Sequence, residues 1–137
     1  MRGAPRELPP LWRLWFGLLG AAAAWALQLV ASYTLVAHAC FPGAMPVGTP
    51  VIPGARVLAL VMGAAALGLG VAALLVALGA WRETRPPVGV ERESGGAGER
   101  RSGFMALAGM FTSTVFIIAI VMNVFPLFVG PLCVVAT

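Results

Sequence analysis

Three long runs of apolar positions dominate the chain, at about 14–37, 57–81 and 104–128, and none contains a charged residue. A bilayer core of about 30 Å is crossed by about 20 residues of helix, so each run is long enough to span it. Helices satisfy their own backbone groups in lipid, which makes three transmembrane helices the expected arrangement. The intervening segments differ in character. Residues 40–56 include Pro42, Pro46, Pro50 and Pro53 and read as an irregular, fairly stiff loop. Residues 82–103, RETRPPVGVERESGGAGERRSG, read as a flexible polar linker with nearly cancelling charges. No internal repeat is present. The pattern predicts one all-α integral membrane domain over residues 1–137, with any function in or at the edge of the bilayer.

Composition agrees with the pattern. The 137 residues are 60% hydrophobic and 10% charged, against roughly 25% charged in soluble domains, and the mean hydropathy is +0.93. Water-soluble, disordered and fibrous classes are excluded. All nine basic residues are Arg and all five acidic ones Glu, a usage that fits a bacterial, G+C-rich source. A pI near 10.5 would suit nucleic acid, but so few charges are accounted for by membrane topology alone.

The arginines set the expected orientation. Arg2, Arg6 and Arg13 precede the first span, and Arg82, Arg85, Arg92, Arg100 and Arg101 lie between the second and third. Arg56 alone falls on the other side. Positive flanks stay in the cytoplasm, so the N-terminus is expected inside, the C-terminus in the periplasm, and the chain multi-pass in the inner membrane. Trp12, Trp15, Phe16 and Trp81 then belong to the inner aromatic belt. Ala37-His38-Ala39 before Cys40 imitates a signal-peptide cleavage site, but the preceding apolar run far exceeds the usual 7–15 residues, which favours a retained helix.

The second span carries a marked small-residue pattern. Ala59, Gly63, Ala66, Gly70, Ala73, Ala77 and Ala80 alternate spacings of four and three, which puts them on one heptad stripe. Small residues let helices approach closely in lipid. The seam fits either a partner subunit or the chain's own first or third helix, with Leu60, Val61, Leu67, Leu74 and Leu78 facing lipid or filling grooves. In the first span Ala21, Trp25, Gln28 and Ser32 share a face. Gln28 sits near mid-membrane, where an unpaired amide is costly. In the third, Thr112, Ser113 and Thr114 are expected to bond their own preceding carbonyls. Asn123 has no such easy escape. At about 1.5 Å per residue, Tyr33 and Asn123 both lie roughly 28 Å from the inner boundary, and they are expected to be neighbours. Pro126 is expected to free the Met122 carbonyl and kink the helix near its outer end.

Cys40 and Cys133 both fall on the outer, oxidising side, where a disulfide between them would close a loop of more than 90 residues. The same sulfurs, with His38 and Met45, form a soft ligand set suited to Cu(I). A single His offers one axial ligand and no bis-His haem site. Glu7, Glu83, Glu91, Glu93 and Glu99 are all on the cytoplasmic side, so no intramembrane carboxylate is available for a proton relay. Neither a phosphate-binding glycine motif nor a nucleophile elbow is present, which argues against an enzyme or an active transporter. No polar stripe runs along a whole helix, which argues against a pore.

Gly17, then Trp25-Ala26-Leu27-Gln28, Tyr33 and Cys40, then Phe104-Met105-Ala106, Gly109, Ser113, Phe116 and a closing Cys133 resemble small bacterial three-helix membrane proteins encoded beside haem–copper cytochrome c oxidases and their assembly factors. The resemblance covers the first and third spans, about half the chain. In that group two outer cysteines end the first and last spans, and association with the respiratory chain is implied. The proline-rich loop and long inner linker depart from the group's pattern. The resulting expectation is a non-catalytic accessory subunit that binds no cofactor itself. It would pack, among lipids and with neither nucleic acid nor soluble substrate, against a larger complex. A terminal oxidase of electron transport would hold the haem and copper. The seam and the polar mid-membrane residues would then supply the docking surface. The competing expectation is a copper- or thiol-handling assembly factor at the outer rim.

Overall fold

A computed structural model describes residues 8–85 and 96–133, and these form four helices. They are α1 (Leu11–Cys40), α2 (Ala55–Thr84), α3 (Ala97–Val124) and the single turn α4 (Pro126–Val129). Among the described residues there is no strand, and three helical stretches are long and apolar enough to cross a membrane. Arg2, Arg6, Glu7, Glu91, Arg92 and Glu93 lie outside the described residues, as does the middle of the 82–103 linker.

The helices overrun the apolar runs that announce them. α1 and α2 each have 30 residues, or about 45 Å, which matches a bilayer with its headgroup layers. Helix continues wherever the flanks can hydrogen-bond it. At the end of α1 the proline-rich loop folds back, so that Val51 N–H donates to Ala39 O and Val47 N–H to Cys40 O, at 2.9 and 2.8 Å. These bonds satisfy carbonyls that a helix end otherwise leaves open. α3 begins at Ala97, inside the segment read as linker, with Glu99 in its first turn, where a carboxylate favours the helix dipole. Pro126 interrupts the hydrogen-bond ladder between α3 and α4 as expected. Phe125 nevertheless keeps helical dihedrals, φ −53° and ψ −45°, so the chain passes through the break as helix.

Each of the three long helices packs on both others. The buried positions of α2 are the seven seam residues, extended by Ala55 at one end and Thr84 at the other. α1 answers with Leu14, Gly17, Ala21, Ala24 and Gln28, and α3 with Ser102, Ala106, Gly109, Ser113 and Ile120. A Cβ built on Gly17 would stand 3.2 Å from Ala77 Cβ, and one on Gly20 the same distance from Ala73 Cβ. On the other flank of α2, Gly70 faces Ile117 and Gly63 faces Val124. The seam is therefore used up within the chain. Its alternative role, docking on a partner, is corrected by this packing, because no seam residue is left on the surface.

α1 and α3 come into close backbone contact at Gly17 and Gly109. A Cβ on Gly109 would lie 2.9 Å from Gly17 O, 3.1 Å from its carbonyl carbon and 3.3 Å from Leu18 N. Only glycine fits there. Just beyond it, Ser113 Oγ donates to Gly17 O at 3.1 Å from a wholly buried position. That bond corrects the expectation that Ser113 turns back on its own helix. Thr114 does so, donating to Met110 O at 2.8 Å.

Candidate functional site

The bundle interior also holds a polar side-chain pair between α1 and α3. Gln28 is buried on the small-residue face of α1, and its Oε1 accepts a 2.9 Å hydrogen bond from Asn123 Nδ2 on α3. Its own Nε2 points to Ser32 Oγ at 3.4 Å, one turn along. The expected Tyr33–Asn123 pair is corrected here: Tyr33 is 76% exposed, and Gln28 takes its place. Depth was matched, but azimuth decides contact. Tyr33 is five residues past Gln28, about 140° around the helix. Beside this layer Trp25 and Phe116 meet with ring centroids 5.2 Å apart. Among the described residues no buried side-chain nitrogen or oxygen lacks a partner.

A double-mutant cycle should resolve the pair. Gln28→Leu and Asn123→Leu should show a coupling of about 0.6 kcal/mol, typical of interhelical hydrogen bonds in lipid. Tyr33→Phe should fall within about 0.5 kcal/mol of the parent. Unfolding in mixed detergent micelles would measure all five proteins, and additive Gln28 and Asn123 effects would refute the pairing.

At one end of the bundle, Cys40 and Cys133 form a disulfide, with Cα atoms 5.5 Å apart and 93 residues of separation. It ties the last residue of α1 to the segment after α4. Both cysteines are buried, at 3% and 6% exposure, whereas exchange-active disulfides need access for an attacking thiolate. His38 is exposed and Met45 is 80% exposed. The set His38, Cys40, Met45 and Cys133 is thus not available as four free ligands, since the two sulfurs bond each other. Among the described residues no group of three or more His, Cys, Asp or Glu is placed to hold a metal ion.

Arg56, the one arginine at this end among the described residues, has a structural task that the sequence reading missed. Its Nε donates to Leu127 O at 2.7 Å and its Nη2 to Phe128 O at 3.2 Å. These carbonyls belong to the last turn before the chain leaves helix, where a cation is favourable. An arginine beside an apolar span can reach lipid headgroups, water or the carbonyls at the end of a neighbouring helix, and the sequence alone does not choose among them.

The opposite end is charged. Arg13 Nη1 donates to both carboxylate oxygens of Glu83, at 3.1 and 3.2 Å, joining the start of α1 to the end of α2. Arg85 lies 4.4 Å over the Trp81 ring, a cation–π contact at the level expected of an interfacial belt. Between α2 and α3, toward the disulfide end, runs an apolar groove of about 500 Å³ lined in part by Val61, Leu67 and Ile120. Set against protein-family models, characterised proteins and solved structures, the chain matches none.

Proposed function

We infer that this chain is a non-catalytic accessory subunit that packs against a larger integral membrane complex. The resemblance of its first and third spans makes a respiratory terminal oxidase the partner of choice, with haem and copper held by that partner. The observation that supports this reading most is the inward direction of the polar chemistry. Gln28 bonds Asn123, Ser113 bonds Gly17, and the two cysteines bond each other. These groups fix the shape of the bundle and none is aimed at a substrate. A body with a preset shape and an apolar exterior suits assembly, because little is lost in ordering it on binding.

With the seam and the Gln28–Asn123 pair inside, docking falls to the exterior. Trp12, Trp15, Leu19 and Tyr33 on α1 are exposed, and aromatic side chains are enriched at the centres of protein interfaces. The arginine bias, eight residues to one, supports a disulfide end in the periplasm of a bacterial inner membrane.

Mild-detergent extraction of the tagged chain from its native membrane, followed by mass spectrometry and an absorption spectrum, tests the reading. Oxidase subunits and haem bands recovered in fixed ratio are expected. A colourless chain recovered without partners would overturn it. Copper recovered with the chain, without oxidase subunits, would favour the rim assembly factor instead.

A further inference from the structure

The groove between α2 and α3 has a depth that can be measured in residues. Its α2 wall runs from Val57 to Leu67, and its other wall from Ile120 past Phe125 to Phe128. Ten residues of helix rise about 15 Å, which is half of a hydrocarbon core of about 30 Å, the thickness of one leaflet. A partner helix, about 10 Å across, would only rest on a groove of about 500 Å³. A single extended hydrocarbon chain, far thinner than a helix, is of a size to fit inside it.

A cation stands beside one end of this groove. Arg56 immediately precedes Val57, and its guanidinium is held against the carbonyls of Leu127 and Phe128, the latter residue also lining the groove. Two of the five guanidinium N–H groups are engaged in these bonds, and three remain as donors. The carbonyl bonds hold the charge at that end, and an arginine fork suits phosphate oxygens.

We propose that this groove binds one acyl chain of an anionic phospholipid from the leaflet at the disulfide end, with the lipid phosphate on the Arg56 guanidinium. The site differs from the α1 surface assigned to docking, so a lipid bound here can persist in the assembled complex. It stands or falls independently of the accessory-subunit reading, because its test uses the purified chain alone.

The full-length chain in mild detergent is titrated with dioleoylphosphatidylglycerol or dioleoylphosphatidylcholine, and native mass spectrometry counts the lipids bound. The first phosphatidylglycerol should bind about tenfold more tightly than the first phosphatidylcholine, the effect of one good charge-assisted contact. Arg56→Gln should abolish that preference, weakening phosphatidylglycerol more than phosphatidylcholine, whose own choline cation already offsets its phosphate. Ala64→Phe, which fills the groove from an exposed position on its wall, should weaken both lipids. Arg56 also ties down α4, so Arg56→Lys is measured beside it: it keeps the charge and should keep part of the preference. Equal binding of the two lipids to the parent protein overturns the proposal. So does a preference that Arg56→Gln leaves intact, or binding indifferent to Ala64→Phe.

Discussion

Replacing Gly109 with alanine should destabilise the bundle by about 1–3 kcal/mol, the usual penalty for forcing a methyl group into a filled core. The added Cβ would meet Gly17 O at 2.9 Å, with the Gly17 carbonyl carbon and Leu18 N close behind. These are backbone atoms, and no rotamer change moves them aside. α1 and α3 must separate, and the Ser113–Gly17 hydrogen bond at 3.1 Å lengthens with them. Part of that loss is recoverable, because a helical serine can turn to the carbonyl four residues back. Gly109→Leu should do more harm, since nothing in the crossing can yield a leucine's volume.

Two other glycines make the experiment decisive. Gly68 faces open space, so Gly68→Ala should be neutral or slightly stabilising, as alanine is the better helix former by about 1 kcal/mol. Gly63 is intermediate: its added Cβ would strike Val124 Cγ2, the end of a side chain that has another rotamer. Midpoints of unfolding in mixed micelles should therefore rank Gly68→Ala highest, Gly63→Ala next and Gly109→Ala lowest. Equal midpoints at positions 68 and 109 would falsify the close crossing of α1 and α3.

The same crossing shows what the sequence disclosed and what it withheld. On α2 the alternation of four and three was unbroken from Ala59 to Ala80, and every one of those positions is buried. An uninterrupted run of small residues is visible without knowing the partner helix. On α1 and α3 the corresponding stripes are mixed, with Leu14 and Gln28 on one and Ser102, Ser113 and Ile120 on the other. Their unity is geometric and not compositional. The error over Asn123 had a related cause, because depth along the membrane normal was counted and rotation about α1 was not. Gly17, Ala21 and Ala24 already marked the inward side of α1, and Gln28 continues their spacing while Tyr33 does not. Arg56 reads as a topology signal alone, because nothing in the sequence marks the Leu127 and Phe128 carbonyls as its partners. The groove had no sequence signature, since its walls are bulky apolar residues of the kind found all over a membrane helix.

The second large effect is expected at Cys40 and Cys133. Replacing both with serine should lower stability by about 2–4 kcal/mol, the typical worth of a disulfide in the chain-entropy account. The bridge spans 93 residues, which favours the upper part of that range. The membrane works the other way: three spans already confine the reduced chain, so less freedom is regained on cutting it, and the lower part is the better expectation. Burial sets the kinetics. With both sulfurs almost inaccessible, a thiol reductant must wait for the α1 end and the segment after α4 to open. Reduction of the folded protein, followed by maleimide labelling on a gel, should therefore be slow and should accelerate sharply near the unfolding midpoint. Weakening the neighbouring tie with Arg56→Gln should accelerate it too, since Arg56 holds the Leu127 and Phe128 carbonyls a few residues before Cys133. An unchanged midpoint in the double serine protein, or immediate reduction of the folded one, would mean that the bridge is not a structural staple. Either result would return attention to thiol exchange or copper at this end. Formation of the bridge in cells reports on topology as well. Disulfides persist in oxidising compartments, so a fully bridged population would support a periplasmic disulfide end, the orientation expected from the arginine bias of the sequence.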